Sequence, residues 1–278
     1  MNSQYDSLVV IKKLNAPDNP YIEELAQEAL RTAHELDLYT DDRVETSRTL
    51  YIAIGGDGTM LFAARRAVRS GGTVIGINTG NLGFLTEFDP KYISNIIERA
   101  VRDQDVYIEE RVMLRTYIND EHHYAFNEFT ISNKESDRAI QYGLAVDGER
   151  KIPVGEHKAN SVIISTPTGS TAYSLNVGGS ILEPDLDVVQ IMPVAAMSMT
   201  TRPLIVSGKN DIFVTVRPAN DSRVSIKADG QTITCLDMCN DNTFRIERVK
   251  NKVRILHDKD WNFFDTLTNK LHWNKAFV

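Results

Sequence analysis

Gly55-Gly56-Asp57-Gly58-Thr59 sets one carboxylate among residues that otherwise offer mainly backbone. Glycines let the main chain approach phosphate oxygens, and the N–H groups that open a helix bind anions. A carboxylate in such a cradle repels phosphate unless it has a task of its own. It can bind a metal, or take the proton of a hydroxyl that attacks phosphorus. The plainer alternative is a tight turn whose aspartate caps the helix. No Gly-Lys-Ser/Thr follows, so this is not a Walker phosphate loop. A second run, Thr166-Pro167-Thr168-Gly169-Ser170-Thr171-Ala172-Tyr173-Ser174, precedes Gly178-Gly179. Its hydroxyls and tyrosine suit a ribose, a phosphate or a stacked base, although such clusters are also ordinary loops.

The elements that must position these residues read as two kinds. Leu8-Val9-Val10-Ile11 and Leu50-Tyr51-Ile52-Ala53-Ile54 are continuous apolar runs expected as buried strands, the second leading straight into the glycines. Between them Ile22, Leu25, Ala26, Ala29, Leu30, Ala33 and Leu36 recur at helical spacing, with Asn19 as cap and Pro20 at the first helical position. A helix from about Thr59 to Arg69 and a strand at Val74-Ile75-Gly76-Ile77 complete a βαβ unit with a parallel sheet. Asp89-Pro90 opens another helix. The crevice at the carboxyl ends of such strands is where ligands bind.

From about Val106 the pattern becomes short alternating strands. Val112, Leu114, Thr116 and Ile118 share one face, and Ile140, Tyr142, Leu144 and Val146 share another, before the hairpin turn Asp147-Gly148. The fold class expected is an α/β N-terminal domain with a parallel sheet, followed by a mostly antiparallel all-β domain. The boundaries read as 1–105, with 260–278 packing back on it, and 106–259.

The 278 residues carry 42% hydrophobic and 25% charged residues, a globular balance, and a net charge of −7. That charge argues against binding nucleic acid non-specifically. No stretch approaches a membrane span, and the start shows no signal peptide, so the cytoplasm is expected, with no membrane partner. Cys235 and Cys239 are the two cysteines, a poor zinc pattern, and adjacent His122-His123 on a strand face opposite sides.

Taken together the motifs resemble one family. Gly55-Gly56-Asp57-Gly58-Thr59-Met60-Leu61 resembles the signature shared by NAD kinases and the diacylglycerol and sphingosine lipid kinases, and more loosely phosphofructokinases. Asn78-Thr79-Gly80-Asn81-Leu82-Gly83-Phe84-Leu85 is similar to a stretch specific to NAD kinases. Glu110-Arg111-Val112-Met113-Leu114, Asn127-Glu128, Thr166 to Tyr173, Arg202-Pro203-Leu204, Asp229-Gly230-Gln231 and Lys270-Leu271-His272-Trp273 follow in that family's order.

The resemblance implies transfer of the ATP γ-phosphate to the adenosine 2′-hydroxyl of NAD, in a cleft between the domains. Asp57 would be the catalytic base, and the amides of Gly56, Gly58 and Thr59, beside Gly55, would hold phosphates. Asn127 and Glu128 would hold the adenosine end. Phe84 and Tyr173 would flank the adenine, with Thr168, Thr171, Ala172 and Asn176 completing its pocket. Lys158, Asn160 and Asp229 join the nucleotide-binding set. A magnesium or manganese ion would travel with ATP rather than on protein side chains, and the chain would assemble as a homodimer or homotetramer. Bland alternatives stand beside these: Phe84 as plain core, Asn127-Glu128 as a strand end.

Three positions depart from the family pattern. Asn160-Ser161 stands where Asp-Gly is usual at the nicotinamide end, Ala196-Met197 replaces Pro-His, and Gly178-Gly179-Ser180 replaces Gly-Gly-Pro. Two rival readings follow: an idle dinucleotide sensor, and a lipid kinase with the same aspartate motif.

Overall fold

The computed structural model describes residues 4–13, 19–41, 43, 45–80, 83–134, 138–146, 152–217, 223–237 and 242–273. Asn81-Leu82, the Asp147-Gly148 turn and Cys239 lie outside the described residues. The chain divides into two compact units: residues 1–111 with 251–278, and residues 112–250.

Unit 1 begins β1 (Ser7–Lys12), α1 (Pro20–Glu35), β2 (Thr49–Gly55), α2 (Asp57–Ser70), β3 (Thr73–Asn78), α3 (Ile93–Arg102) and β4 (Val106–Arg111). Unit 2 contributes β5 (Leu114–Ile118), β6 (Glu121–Ala125), β7 (Glu128–Asn133), β8 (Ile140–Val146), β9 (Ile152–Ala159) and β10 (Ser161–Ser165). The short helix α4 (Tyr173–Asn176) follows, then β11 (Val188–Val194), β12 (Leu204–Ser207), β13 (Ile212–Arg217), β14 (Arg223–Ala228), β15 (Gln231–Asp237) and β16 (Asn242–Arg248). The chain returns to unit 1 as β17 (Val253–Asp258) and α5 (Phe263–Leu271).

The unit 1 sheet runs β1-β2-β3-β17-β4, parallel except for β4 at its edge. Every residue of β2 is buried, as continuous apolar runs require when helices cover both faces. Leu50, Ile52 and Ile54 share a core with Ile22, Leu25 and Ala29 of α1 and Ile93, Ile96 and Ile97 of α3. The Asn19 side chain accepts from the Tyr21 N–H at 3.0 Å, and Pro20 opens α1. The change to alternating strands at Val106 therefore marks antiparallel pairing rather than a change of unit. β4 and β17, which sit within the stretch read as the second domain, pair with each other in the first sheet.

Unit 2 is two six-stranded antiparallel sheets, β12-β11-β10-β7-β14-β15 and β6-β5-β16-β13-β8-β9. One core fills the space between them, drawing Phe129, Ile131, Val162 and Ile164 from the first sheet and Tyr142, Leu144, Val214 and Ile246 from the second. Ile140, Tyr142, Leu144 and Val146 all point into it, as the alternation of β8 requires. Val112 is buried but precedes β5, where Leu114, Thr116 and Ile118 turn inward. The expected α/β plus antiparallel all-β class is the one observed.

Candidate active site

In unit 1 the parallel strand β2 ends at Gly55, Gly56 stands at the cap position, and Asp57 is the first residue of α2. A side chain added at Gly56 or Gly58 would meet no protein atom within 4 Å, so the backbone there is open to an approaching ligand. Thr59 differs from its expected role. It is buried beneath Gly55, and its N–H donates to the Gly56 carbonyl at 2.9 Å, closing the first turn of the helix. Its amide is engaged within the helix, whereas the backbone of Gly56 and Gly58 stays open.

The carboxylate of Asp57 is not the helix cap. Its Oδ2 accepts the Phe84 N–H at 2.8 Å and its Oδ1 accepts the Leu85 N–H at 3.0 Å. Gly83 makes this possible: a Cβ there would lie 1.8 Å from Asp57 Oδ1. The loop that supplies these amides is itself pinned. The N–H groups of Glu87 and Phe88 donate to the Gly76 carbonyl, and Asn78 N–H donates to the Phe88 carbonyl at 2.9 Å.

Below it, Glu87 accepts from His257 Nδ1 at 2.6 Å and from the Asp258 N–H at 3.2 Å. His257 Nε2 lies 3.1 Å from Glu109, which also accepts from Arg111 Nε at 2.6 Å. Burial pushes the Glu109 carboxyl up, but His257 and Arg111 outweigh it and hold it below the usual range. A carboxylate fixed by two amides has one geometry, which a group that must meet a reacting proton needs.

In unit 2 a second aspartate plays an organising part. The Asp229 carboxylate accepts from three successive N–H groups, those of Phe126, Asn127 and Glu128, at 3.1, 2.7 and 3.3 Å. Asp229 has φ of 48°, which aspartate tolerates in the turn joining β14 to β15. The other side of Asn127 is held by Thr166, whose N–H donates to the Asn127 carbonyl at 2.9 Å and whose Oγ1 donates to Phe126 O at 2.6 Å. Gly169 lets this approach happen, since a Cβ there would sit 2.2 Å from Asn127 O. So Asn127, Glu128, Asp229 and the Thr166–Tyr173 run form one constellation.

Two of its polar groups lack partners. Glu128 is buried, and its Oε2 has no hydrogen bond among the described residues; the Thr168 Oγ1 is also buried and unpaired. Burial, then the Asp229 charge, pushes the Glu128 carboxyl up to about 7, against the Tyr173 N–H, which favours the anion. The folded-state pKa is above the ordinary 4.5, so between about 4.5 and 7 the folded chain binds more protons and its stability falls as pH rises. Glu128→Gln escapes this penalty. Urea unfolding is expected to show the variant gaining on the wild type from about pH 5 to pH 8, by up to about 3 kcal/mol.

The remaining expected residues lie nearer the surface. Tyr173 and Asn176 are exposed on α4, and Thr171 and Ala172 are half-buried beside Thr168, whose carbonyl accepts from Thr171 Oγ1 at 3.1 Å. Lys158 and Asn160 are exposed before the start of β10, whereas Thr166 follows its end. The five residues of β10 separate Asn160 from Thr166, about 20 Å. The sequence reading missed the Phe84 and Leu85 amides and the Glu87–His257 pair, and gave no role to Lys270, which lies over the Phe84 ring at 5.4 Å. The glycine before Phe84 was the available signal. Among the described residues no cluster of three or more His, Cys, Asp or Glu could hold a metal ion.

The sequence matches two family models: the ATP-NAD kinase N-terminal domain over residues 9–106 and the ATP-NAD kinase C-terminal domain over residues 126–257. It is 35% identical to an NAD kinase of Thiobacillus denitrificans, covering 83% of this chain and 78% of that one. It is 30% identical to an NAD kinase of Neisseria meningitidis over the whole of both chains. In fold it is similar to yeast NADH kinase complexed with NADH, with a TM-score of 0.81, 21% identity, and 100% and 93% of the two chains covered. It is also similar to an NAD kinase from Archaeoglobus fulgidus in complex with ATP, with a TM-score of 0.73, 24% identity, and 96% and 98% covered. With both domain models matched in order along one sequence, the chain belongs to the ATP-NAD kinase family.

Proposed function

We propose that Asp57 is the proton acceptor in the phosphoryl transfer this family performs, from ATP to the adenosine 2′-hydroxyl of NAD. In that step the 2′-oxygen forms a bond to the γ-phosphorus, the bond from that phosphorus to the β,γ-bridging oxygen breaks, and ADP leaves. The hydroxyl proton passes to the Asp57 carboxylate. The observation that carries this reading is the hold on that carboxylate: both oxygens accept backbone N–H groups, over a glycine with no room for a side chain. Positioning and charge neutralisation supply most of the rate gain in such transfers.

Asn127 and Glu128 are the residues proposed to hold the adenosine ribose and base. The unpaired Glu128 Oε2 and Thr168 Oγ1 support this, since buried polar groups without partners are satisfied by what binds there. Thr171, Ala172, Tyr173 and Asn176 are proposed to line the same adenosine pocket. A magnesium or manganese ion carried by ATP is the metal proposed to take part. Such an ion neutralises phosphate charge. The cytoplasm is the proposed location; no helix among the described residues is long and apolar enough to cross a membrane.

ATP and NAD with magnesium, coupled to an NADP-specific dehydrogenase, test the reaction. NADP formation is expected; tight NAD binding without product would mark a sensor instead.

The homodimer or homotetramer is supported by β12, an edge strand with Leu204 and Ile205 exposed and Met197 and Met199 exposed just before it. Native edges are seldom left long and apolar unless something covers them. Ile205→Lys is therefore expected to shift the chain toward monomer in analytical ultracentrifugation. A sedimentation coefficient equal to the wild type would remove β12 from the interface.

A further inference from the structure

Lys270 occupies the last turn of α5, where a basic residue ordinarily points to solvent and offsets the helix dipole. Here it does not. Its Nζ is closed off from solvent and has no hydrogen-bond or ion-pair partner among the described residues, although the side chain as a whole is only half-buried. The ammonium faces the Phe84 ring, 5.4 Å from its centroid. Burial pulls the amine below the usual lysine range, opposed by the charge of Asp57. A sequestered cation without a partner is unfavourable unless an anion arrives to pair with it.

The space beside Lys270 belongs to unit 1 alone. A cavity of about 200 Å³ is lined by Gly83, Phe84 and Thr86 on the loop that holds Asp57, and by Trp261, Asn269 and Lys270. That is smaller than the roughly 300–1,000 Å³ of pockets that enclose whole small molecules, so it suits a phosphate group rather than a base or sugar. The acidic side chains on its wall are already engaged or solvated. Glu87 accepts from His257 and the Asp258 N–H, the Asp265 carboxylate accepts from the Asn262 side-chain amide, and Asp260 is exposed. Lys270 is left as the group on this wall that wants a counter-charge.

We propose that Lys270 is the cationic anchor for the ATP phosphates, pairing with the triphosphate in the cavity beside the loop that holds Asp57. The inference rests on the phosphoryl-transfer reading above and adds a substrate-contacting residue to it. A lysine in this place draws charge from the triphosphate while Asp57 faces the acceptor hydroxyl, which separates the anion-binding and proton-accepting tasks on two elements.

The test is binding of the non-hydrolysable analogue AMP-PNP, and of inorganic tripolyphosphate, to the full chain with magnesium, by calorimetry. Lys270→Met keeps the length and apolar stem of the side chain. It is expected to weaken both probes at least about tenfold, the worth of a charge-assisted contact. NAD affinity is expected to stay within about threefold, and the ligand-free melting temperature to hold or rise, because an unpaired buried charge has gone. In turnover the loss should fall on KM for ATP. Unchanged affinity for both probes would overturn the proposal. So would a lowered melting temperature with parallel loss of NAD binding, which is the signature of a packing role. The probes need no NAD and no chemistry. A wild type that binds them through Lys270 but makes no NADP contradicts the reaction and leaves the anchor standing, whereas NADP formation indifferent to Lys270→Met contradicts the anchor alone.

Discussion

Asp57→Asn is expected to lower kcat by at least about 100-fold while KM for NAD stays within about threefold, measured by the coupled NADP assay. The amide is isosteric but a poor base, and its NH₂ cannot accept from a backbone N–H. One of the two bonds that fix the group, from Phe84 or Leu85, must therefore be lost. Gly83→Ala separates position from chemistry. It keeps the carboxylate but puts a methyl where Asp57 Oδ1 now sits, 1.8 Å away, so the group must move. A misplacement of about 1 Å is worth on the order of 100-fold in rate, so kcat should fall by a similar factor in this variant too. Full activity in Gly83→Ala would mean that the hold on Asp57 is irrelevant.

Asp229→Ala should act on the other substrate. Its carboxylate gathers the N–H groups of Phe126, Asn127 and Glu128, and nothing else in the turn replaces an anion accepting all three. Alanine also inherits a φ of 48°, a conformation that disfavours a side chain unable to bond locally. Together these should lower stability by about 3 kcal/mol, read by denaturant unfolding. They should also raise KM for NAD at least about tenfold, because Asn127 and Glu128 lose their fixed backbone. Asp229→Asn keeps the φ preference and part of the acceptance and should fall between. Loss of stability with an unchanged KM for NAD would assign Asp229 to the fold alone.

The path from residues to structure was plain where local signals agree. Leu50 to Ile54 is apolar on both faces and runs into glycines, so a buried parallel strand delivering Asp57 to a helix start could be read directly. The Thr166–Tyr173 run likewise carries its small residues because Gly169 must pass over Asn127 O. Long-range pairing was not legible. β17 joins β3 and β4 across more than a hundred residues, and no local pattern tells a strand which sheet it will enter.

β11 has a weak local signal, because Pro193 interrupts its apolar run and argues against a strand. Pro193 pairs with Val162 of β10, but β12 pairs only with Val188 to Ile191, so one edge at the proline is free and no ladder bond is forfeited. At the site, a motif names Asp57 but not the loop that orients it. Phe84 and Leu85 act through their main chains, to which side-chain identity is blind.

The most direct measurement of the account is where the phosphate goes. With ATP labelled on the γ-phosphate, NAD and magnesium, the purified chain is predicted to place the label on NADP. Digestion should then recover it as the 2′-phosphate of the adenosine ribose, and Asp57→Asn should slow its appearance at least about 100-fold. Label released as inorganic phosphate, or recovered on the nicotinamide ribose, would contradict it.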